Sequence, residues 1–183
     1  MTAVHEQSAA TSDVKPYAKA FIEGLRAANV KIVGALPESH LKSLYVALAE
    51  SPDVKYVRVS NEADLPGLIA GAYVGGARAL MISENSGLRQ ACEPISRLAY
   101  SHHMPLVMVV SYRGDFGEGN WWGHNHAQVM TPLLNALRIP FWVIDRVDRL
   151  PAAIGKAFVH ADASQWPVCL VLTGECTEAG VAA

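Results

Sequence analysis

The sequence predicts an α/β fold of three layers, in which a six-stranded, mostly parallel sheet is covered by helices on both faces. Short apolar runs alternate along the chain with stretches whose apolar residues recur at helical spacing. Short apolar strands that alternate with helices indicate a parallel sheet buried on both faces. Right-handed crossovers then bring every strand-to-helix turn to one edge of the sheet, which is where such folds bind their ligands.

The elements follow in a regular order. Residues 1–13, MTAVHEQSAATSD, are polar and lack the apolar segment of a signal peptide, so we expect a disordered leader before one domain at 14–183. The first helix should have Asp13 as its N-cap and Pro16 in its first turn. Helices are predicted at 14–28, 40–50, 63–76, 89–100, 127–137 and 150–161. Strands are predicted at 31–34, 54–60, 79–83, 105–111, 141–144 and 168–172, and a long loop at 112–126.

The helix predicted at 63–76 contains several glycines. Gly71, Gly75 and Gly76 should each weaken it by roughly 1 kcal/mol relative to alanine. We therefore expect another helix or a partner chain to pack closely against its backbone.

Composition excludes several classes of protein. A net charge of -2 without a basic block disfavours binding to nucleic acid or to an anionic membrane. No apolar run approaches the roughly 18 residues that span a bilayer. The three cysteines form no CxxC pair, and Cys92 and Cys169 fit core positions, so a reduced, cytoplasmic compartment is expected.

Nucleotide-binding motifs are absent from the expected places. The first predicted strand is followed by GALPES rather than by GxGxxG, and GAYVGGA falls inside a predicted helix. The sequence has no P-loop either. A Rossmann dinucleotide site is therefore disfavoured.

His124 and His126 form an H-x-H pair in the predicted loop. A metal site is disfavoured because no third ligand is evident. General acid or base catalysis near neutral pH is the favoured role, and capping of the following helix is the alternative. His102 and His103 fit the end of a helix, where cations are favourable.

Polar residues that follow the predicted strands have two interpretations each. Asn85, Ser86 and Gly87 form a helix amino terminus that either offers N–H groups to an acceptor or is an ordinary cap. Arg113 could bind a carboxylate, sulfonate or phosphonate, or form a structural ion pair. Glu62 is either a catalytic carboxylate or a partner of the helix dipole. Trp121 and Trp122, paired in a polar loop, favour a covered ligand or protein surface.

Five segments carry a family resemblance: NEADLPGLIAGAYVGG, SENSGL, PLVMVVSYRGDFGEGN, MTPLLNALRIPF and GALPES. They resemble the pyrimidine-binding domain of thiamine-diphosphate-dependent decarboxylases. The likeness is greatest to the alpha subunit of sulfopyruvate decarboxylase and the corresponding half of phosphonopyruvate decarboxylase, and it runs from Tyr17 to Leu172.

The resemblance implies a role for Glu62. It matches the glutamate that hydrogen-bonds the aminopyrimidine ring of thiamine diphosphate and favours the tautomer that activates the cofactor against a 2-oxo acid. The resemblance also places Pro37, Asn85, Ser86 and Gly87 at the cofactor, and His124 and His126 at proton transfer. The chemistry itself belongs to the cofactor.

On the substrate side the resemblance implies Ser39, Glu84, Arg113, Trp121 and Trp122. Family members are expected to have glutamine where this chain has Glu84. A second carboxylate near Glu62 would raise the pKa of one of the two, or repel an anionic substrate tail. Two tryptophans suit a bulkier or more apolar substrate.

The resemblance also implies a partner. Enzymes of this type bind Mg²⁺ and the diphosphate through a domain with GDG and a downstream asparagine, whereas this chain has GDF at 114–116. A beta subunit that carries this domain is therefore expected, in a hetero-oligomer with two or more copies of each subunit. The implied reaction is decarboxylation of sulfopyruvate, phosphonopyruvate or a related pyruvate to an aldehyde. The alternatives are a carboligase or lyase subunit, a non-catalytic binding module of the same fold, and an H-x-H metal hydrolase.

Overall fold

The computed structural model of the protein describes residues 14–178. The leader predicted at 1–13, including Asp13, lies outside the described residues. The strands are β1 (Ile32–Ala35), β2 (Lys55–Arg58), β3 (Ala79–Glu84), β4 (Val107–Ser111), β5 (Phe141–Ile144) and β6 (Val168–Leu172). The helices are α1 (Pro16–Ala27), α2 (Lys42–Glu50), α3 (Asp64–Val74), α4 (Gly87–His102), α5 (Trp121–Ala136), α6 (Leu150–Ser164) and α7 (Gly174–Glu178), with a 3-10 turn at Val147–Arg149 before α6.

The described strands form one six-stranded sheet in the order β2-β1-β3-β4-β6-β5. Every strand pair in residues 14–178 is parallel, so the predicted sheet is confirmed as wholly rather than mostly parallel. The central strands β3 and β4 are fully buried except at the end of β3, where Glu84 is partly exposed. The carboxyl ends of all these strands therefore lie at one edge of the sheet.

Two apolar cores lie on opposite faces of the sheet, as a three-layer fold requires. One core joins the sheet to α1, α2 and α6, and the other joins it to α3, α4 and α5. Successive side chains of β4 alternate between them: Val107 and Val109 enter the first core, and Met108 and Val110 enter the second. Each such fully buried side chain contributes about 1.5–3 kcal/mol of transfer free energy.

The predicted elements are confirmed, with shifts of one to several residues at their ends. α1 begins at Pro16, as predicted for its first turn, and its N-cap is Lys15, which makes no side-chain capping bond. α3 ends at Val74, and Gly76 follows it with φ of 78°. The prediction that Gly75 and Gly76 weaken the interior of this helix is therefore wrong, because both lie beyond its last residue. The short helix α7 was not predicted.

The largest correction concerns the long loop predicted at 112–126. α5 begins at Trp121, so the last six residues of that segment are helical. In the first turn of this helix Gly123 packs against Glu118, where a Cβ atom would lie 2.7 Å from the glutamate side chain. Glycine at position 123 thus allows the Glu118 side chain to approach the backbone of α5, and it does not form a turn.

Other predicted features have mixed outcomes. Cys169 is fully buried in the core, as predicted, whereas Cys92 on α4 is only partly buried. His102 lies in the last turn of α4 and His103 ends the helix in the left-handed conformation, which confirms that pair as a helix terminus. Within the described residues, no helix has the length and apolar character needed to cross a bilayer.

Candidate active site

Polar side chains from several turns converge at the carboxyl edge of the sheet. They come from the turns after β1, β3 and β4 and from the first turns of α4 and α5. Arg113 is the second residue after β4 and lies at the centre of this group. Its side chain is 10% exposed.

The guanidinium of Arg113 has partners on each side. Its Nε lies 3.4 Å from Glu84 Oε2, and its Nη1 lies 3.4 Å from Glu118 Oε2. Nη1 also donates to His40 Nε2 at 2.5 Å. The guanidinium carbon stacks 4.5 Å above the ring centre of Trp122. Of the two interpretations of this arginine, the structure shows the ion pair.

Asn85 fixes the backbone beneath Arg113. The asparagine is 2% exposed, and its Nδ2 donates to the Arg113 carbonyl at 2.8 Å. The Arg113 N–H donates back to Asn85 Oδ1 at 3.3 Å, and the Asn85 N–H donates to Ser111 O at 3.1 Å. The side-chain amide of this predicted cofactor residue thus holds the turn after β3 to the turn after β4.

Glu84 links Arg113 to the predicted proton-transfer residue His126. Glu84 Oε1 accepts from the Ser86 hydroxyl at 2.6 Å and lies 3.7 Å from His126 Nε2. On its other side, His126 Nδ1 lies 2.8 Å from Arg89 Nη2. Because arginine only donates, Nδ1 accepts this bond, and the proton of the neutral ring is assigned to Nε2, towards Glu84.

The pKa of His126 lies below its ordinary value. Burial is the largest cause, and the nearby charges of Arg89 and Arg113 act in the same direction. Glu84 and Glu118 oppose this shift but do not cancel it. The lowered pKa favours the neutral imidazole of His126 near pH 7.

Glu118 closes the loop that follows Arg113. Its Oε1 accepts from the backbone and side-chain amides of Asn120, each at 2.9 Å, and its Oε2 accepts from Gly114 N–H at 3.3 Å. The hydrogen bonds from Asn120 and Gly114, together with the charge of Arg113, lower the pKa of Glu118 from 4.5 to about 2, although burial opposes them. Gly114 has φ of 84°, and a Cβ there would lie 2.3 Å from Gly123 O.

Glu62 lies in the turn between β2 and α3 and is partly buried. Asn61 Oδ1, not the Glu62 carboxylate, accepts the Ala63 N–H at 2.9 Å and caps this turn. No hydrogen bond or ion pair joins the Glu62 carboxylate to another residue of 14–178. The side chain lies against Gly87, where a Cβ would be 2.6 Å from Glu62 Cγ and 2.9 Å from Oε1.

This position makes Glu62 a partner of the dipole of α4 and not a cap of its own helix. The carboxylate makes no capping bond in its own helix, and it lies beside the amino terminus of α4, which carries a partial positive charge. Glu62 is therefore an acceptor at the edge of the sheet whose lone pairs are available to a molecule from outside this chain.

Four predicted residues lie away from this cluster. Pro37 and Ser39 line a separate hollow of about 650 Å³ beside β2, with Tyr45 and Tyr56. Trp121 is 79% exposed on α5, so the two tryptophans differ: Trp122 stacks on Arg113 and Trp121 faces solvent. His124 is exposed on the same helix.

The helical placement of His124 and His126 also bears on metal binding. Two positions along an α-helix differ by about 200° around its axis, so the two imidazoles point away from each other. Within residues 14–178 no group of three or more histidine, cysteine, aspartate or glutamate side chains is arranged to hold a metal ion.

Four residues at this edge escaped prediction: Glu38, His40, Arg89 and Glu118. His40 directly follows the polar turn GALPES and reaches Arg113 across 73 positions of sequence. Glu118 stands alone between glycines in GDFGEGN, and this isolation after a strand is a signal that could have indicated it. Glu38, between Pro37 and Ser39, accepts from His40 N–H at 2.6 Å and Leu41 N–H at 2.8 Å before α2, and burial raises its pKa.

The chain is similar to several known proteins. No family model matches the chain. The chain is 26% identical to the sulfopyruvate decarboxylase subunit alpha of Methanococcus maripaludis over 144 residues. This aligned stretch covers 79% of this chain and 86% of that protein. The chain is 28% identical over 134 residues to the same subunit of Methanothermobacter thermautotrophicus, covering 73% and 79%. The chain resembles sulfopyruvate decarboxylase alpha subunits. The resemblance predicted from the motifs is confirmed.

A second group of relatives is longer than this chain. Phosphonopyruvate decarboxylase of Streptomyces viridochromogenes is 31% identical over 97 residues, which are 53% of this chain but only 24% of that protein. The chain thus matches most of a sulfopyruvate decarboxylase alpha subunit and about a quarter of a phosphonopyruvate decarboxylase.

Proposed function

We propose that this chain is the alpha subunit of a heteromeric, thiamine-diphosphate-dependent decarboxylase that converts a substituted pyruvate into carbon dioxide and an aldehyde. The observation that carries the proposal is the Glu62 carboxylate, which lies at the carboxyl edge of the sheet with no partner in residues 14–178. The relatives that match most of this chain are decarboxylase subunits.

The residues around Glu62 fit an aminopyrimidine ring. A carboxylate can accept a hydrogen bond from a ring N–H. When the carboxylate is partly buried, fewer water molecules compete for that bond. The missing side chain at Gly87 leaves the space that Glu62 occupies over the first turn of α4. When bound, thiamine diphosphate supplies the carbon nucleophile and the electron sink for decarboxylation.

The side chains of this chain then have distinct roles. Glu62 holds the proton shared with the ring nitrogen. Ser86 and Gly87 begin α4, and their backbone N–H groups face the same edge. We assign His126 to the proton transfer that the product requires; the neutral ring carries its proton on Nε2, and Nδ1 accepts the hydrogen bond from Arg89. Arg113 and Trp122 form one wall of the substrate site.

Four other predicted residues belong to the proposal and lie outside the cluster around Arg113. Pro37 reaches the cofactor and Ser39 the substrate only if the turn after β1 contributes to both sites. Trp121 and His124, exposed on α5, would contact substrate at the outer rim.

A partner subunit completes the proposed enzyme. The relatives are named as alpha subunits, and the GDG segment that would hold Mg²⁺ and the diphosphate is not in this sequence. We place the outer face of α3, defined by Gly67, Gly71 and Val74, at the contact with this beta subunit, because no other described element covers it. The assembly would hold two or more copies of each subunit in the cytoplasm.

Reconstitution with variants tests the proposal. The chain alone should be inactive, and the complex with its beta partner, thiamine diphosphate and Mg²⁺ should release carbon dioxide and a free aldehyde from a 2-oxo acid. Glu62→Gln should lower kcat at least about 100-fold, which is the usual scale of a lost proton-transfer contact. Its Tm should stay unchanged because the carboxylate has no partner in the described fold.

The exposed Glu23 on α1 provides the matched control. Glu23→Gln should leave kcat unchanged. Full activity of Glu62→Gln would contradict the proposal, and a coupled ketol in place of the free aldehyde would replace the decarboxylase by a carboligase.

A further inference from the structure

Arg113 is the buried cation that a sulfonate or phosphonate tail would need at this site, since Arg89 is exposed and bonded to His126. A guanidinium binds such groups well only when its donors can turn to the anion. In this chain Nε faces Glu84 and Nη1 faces Glu118, each at 3.4 Å, and the flat face is covered by Trp122. One positive charge thus lies between two negative charges.

The two carboxylates are themselves held in place. Glu84 Oε1 accepts from the Ser86 hydroxyl, and Glu118 Oε1 accepts two bonds from Asn120. Their side chains are only 17% and 6% exposed, so neither can turn into solvent without losing those bonds. A tail with negative charge would have to displace a carboxylate from Arg113 or bind beside both.

The cleft beside Arg113 is lined by more negative than positive side chains. It measures about 480 Å³ and contains His40, Tyr112, Phe116 and Arg113 in its wall. Among the described residues that line it, Arg113 is the one lysine or arginine, whereas four are carboxylates: Asp115, Glu118, Glu175 and Glu178. Glu118 is buried beside Arg113, whereas Glu175 and Glu178 are exposed, so water and salt partly screen the negative charge that a bound tail would meet.

Two aromatic side chains line this cleft. Phe116 is fully exposed at its rim, and Tyr112 lies in its wall. We infer that the substrate is a 2-oxo acid whose C3 substituent is uncharged and apolar, rather than a sulfonate or phosphonate. This inference rests on the proposed decarboxylase function and specifies its substrate class.

The reaction is the same decarboxylation as in the proposed function. The bond between the carboxylate and the keto carbon breaks, carbon dioxide leaves, and one proton replaces it on that carbon to give an aldehyde. The C3 substituent takes no part in bond breaking, so its charge changes binding and orientation but not the chemistry.

The test compares substrates on the complex of this chain with its beta partner, thiamine diphosphate and Mg²⁺. The anionic probes are 3-sulfopyruvate and 3-phosphonopyruvate, and the uncharged probes are 4-methyl-2-oxopentanoate and phenylpyruvate. We expect kcat/KM for at least one uncharged probe to exceed that for both anionic probes by tenfold or more.

Charge as the cause is tested by Glu84→Gln. This variant removes one of the two negative charges at Arg113 and should raise kcat/KM for the anionic probes about tenfold relative to the uncharged ones. Glu93→Gln is the control, because Glu93 is exposed on the same helix α4 that follows Glu84 and forms a surface pair with Arg97. It should leave the substrate preference unchanged.

Salt provides a second measurement that does not depend on a variant folding well. Added salt screens repulsion, so kcat/KM for the anionic probes of the unmodified complex should rise with ionic strength relative to the uncharged probes. A preference that does not respond to salt or to Glu84→Gln would show that shape, not charge, selects the substrate, and would overturn the inference.

The two proposals fail in different ways. A complex that decarboxylates sulfopyruvate or phosphonopyruvate best contradicts the inferred substrate class and leaves the decarboxylase function standing. A complex that decarboxylates none of the four probes, and releases no carbon dioxide from any other 2-oxo acid, contradicts both.

Discussion

The side chain of Glu62 lies directly over Gly87, the first residue of α4. A Cβ atom at position 87 would come within 2.6 Å of Glu62 Cγ and 2.9 Å of Oε1, closer than such contacts occur in folded proteins. The two residues come from turns after different strands, β2 and β3. Glycine at position 87 therefore sets where the proposed cofactor contact can lie.

We predict that Gly87→Ala lowers activity by moving Glu62. The added methyl group displaces the carboxylate while the helical backbone of α4 tolerates alanine, so kcat and the affinity for thiamine diphosphate should fall at least tenfold with a small change in Tm. The measurements are cofactor titration and thermal unfolding of the complex. Gly155→Ala on α6, where a Cβ meets no atom within 4 Å, is the control. Equal cofactor affinity in both variants would contradict this role for Gly87.

Glu118 should make stability depend on acid pH. Its folded pKa is about 2, below the ordinary 4.5, so its carboxylate stabilises the fold above about pH 4.5, and this contribution is lost as pH falls through about 2. Glu118→Gln should remove that contribution. The free energy of unfolding of the unmodified chain should therefore exceed that of the variant above pH 4.5, and the gap should narrow towards pH 2.

The comparison of the two chains isolates Glu118 from an opposing group. The pKa of Glu38 is raised by burial, so its protonation has the opposite effect on stability, but it is present in both chains. The measurement is urea unfolding of the isolated chain at several pH values. A gap that stays constant from pH 6 to pH 2 would contradict the lowered pKa.

The fold could be predicted because its signals are local. Each strand is a short apolar run, and the helices α1, α2, α4 and α6 show apolar residues at helical spacing. The start of α5 could not be predicted in this way. Asn120 and Gly123 are turn-forming residues in sequence, whereas in the structure Asn120 is the N-cap of α5 and Gly123 lies in its first turn against Glu118.

The position of the candidate site followed from topology, but its charge balance did not. Strand ends in a parallel sheet share one edge, which predicts that Glu84 and Arg113 lie near each other. Whether Arg113 is available to an anion depends on Glu118 and on His40, which contacts it from 73 positions away. No periodicity or spacing in the sequence indicates such contacts.

His126 should titrate below the ordinary range for histidine, and its neighbours should shift it in opposite directions. Since Glu84 raises its pKa, Glu84→Gln should lower the pKa further. Since Arg89 lowers it, Arg89→Gln should raise it. The measurement is NMR titration of the imidazole protons, with His126→Gln used to assign the signal. A pKa that rises in Glu84→Gln or falls in Arg89→Gln would contradict the arrangement of charges around this ring.

A substitution on the outer face of α3 should change both the stability of the isolated chain and its affinity for the beta subunit. Gly71 lies in the interior of α3, on its exposed face, and a Cβ there meets no atom of the chain within 4 Å. Gly71→Ala should therefore stabilise the isolated chain by about 1 kcal/mol, because alanine favours a helix more than glycine does. If the beta subunit packs against this face, the same methyl group should weaken association about tenfold.

Gly155→Ala separates these two effects. Position 155 lies in α6, on the other side of the sheet, and a Cβ there is equally unhindered. This variant should stabilise the isolated chain to a similar degree, as measured by urea unfolding, and leave the Kd for the beta subunit unchanged. A Kd that is also unchanged in Gly71→Ala would show that the partner binds elsewhere, and the open glycine face of α3 would then have no part in the assembly.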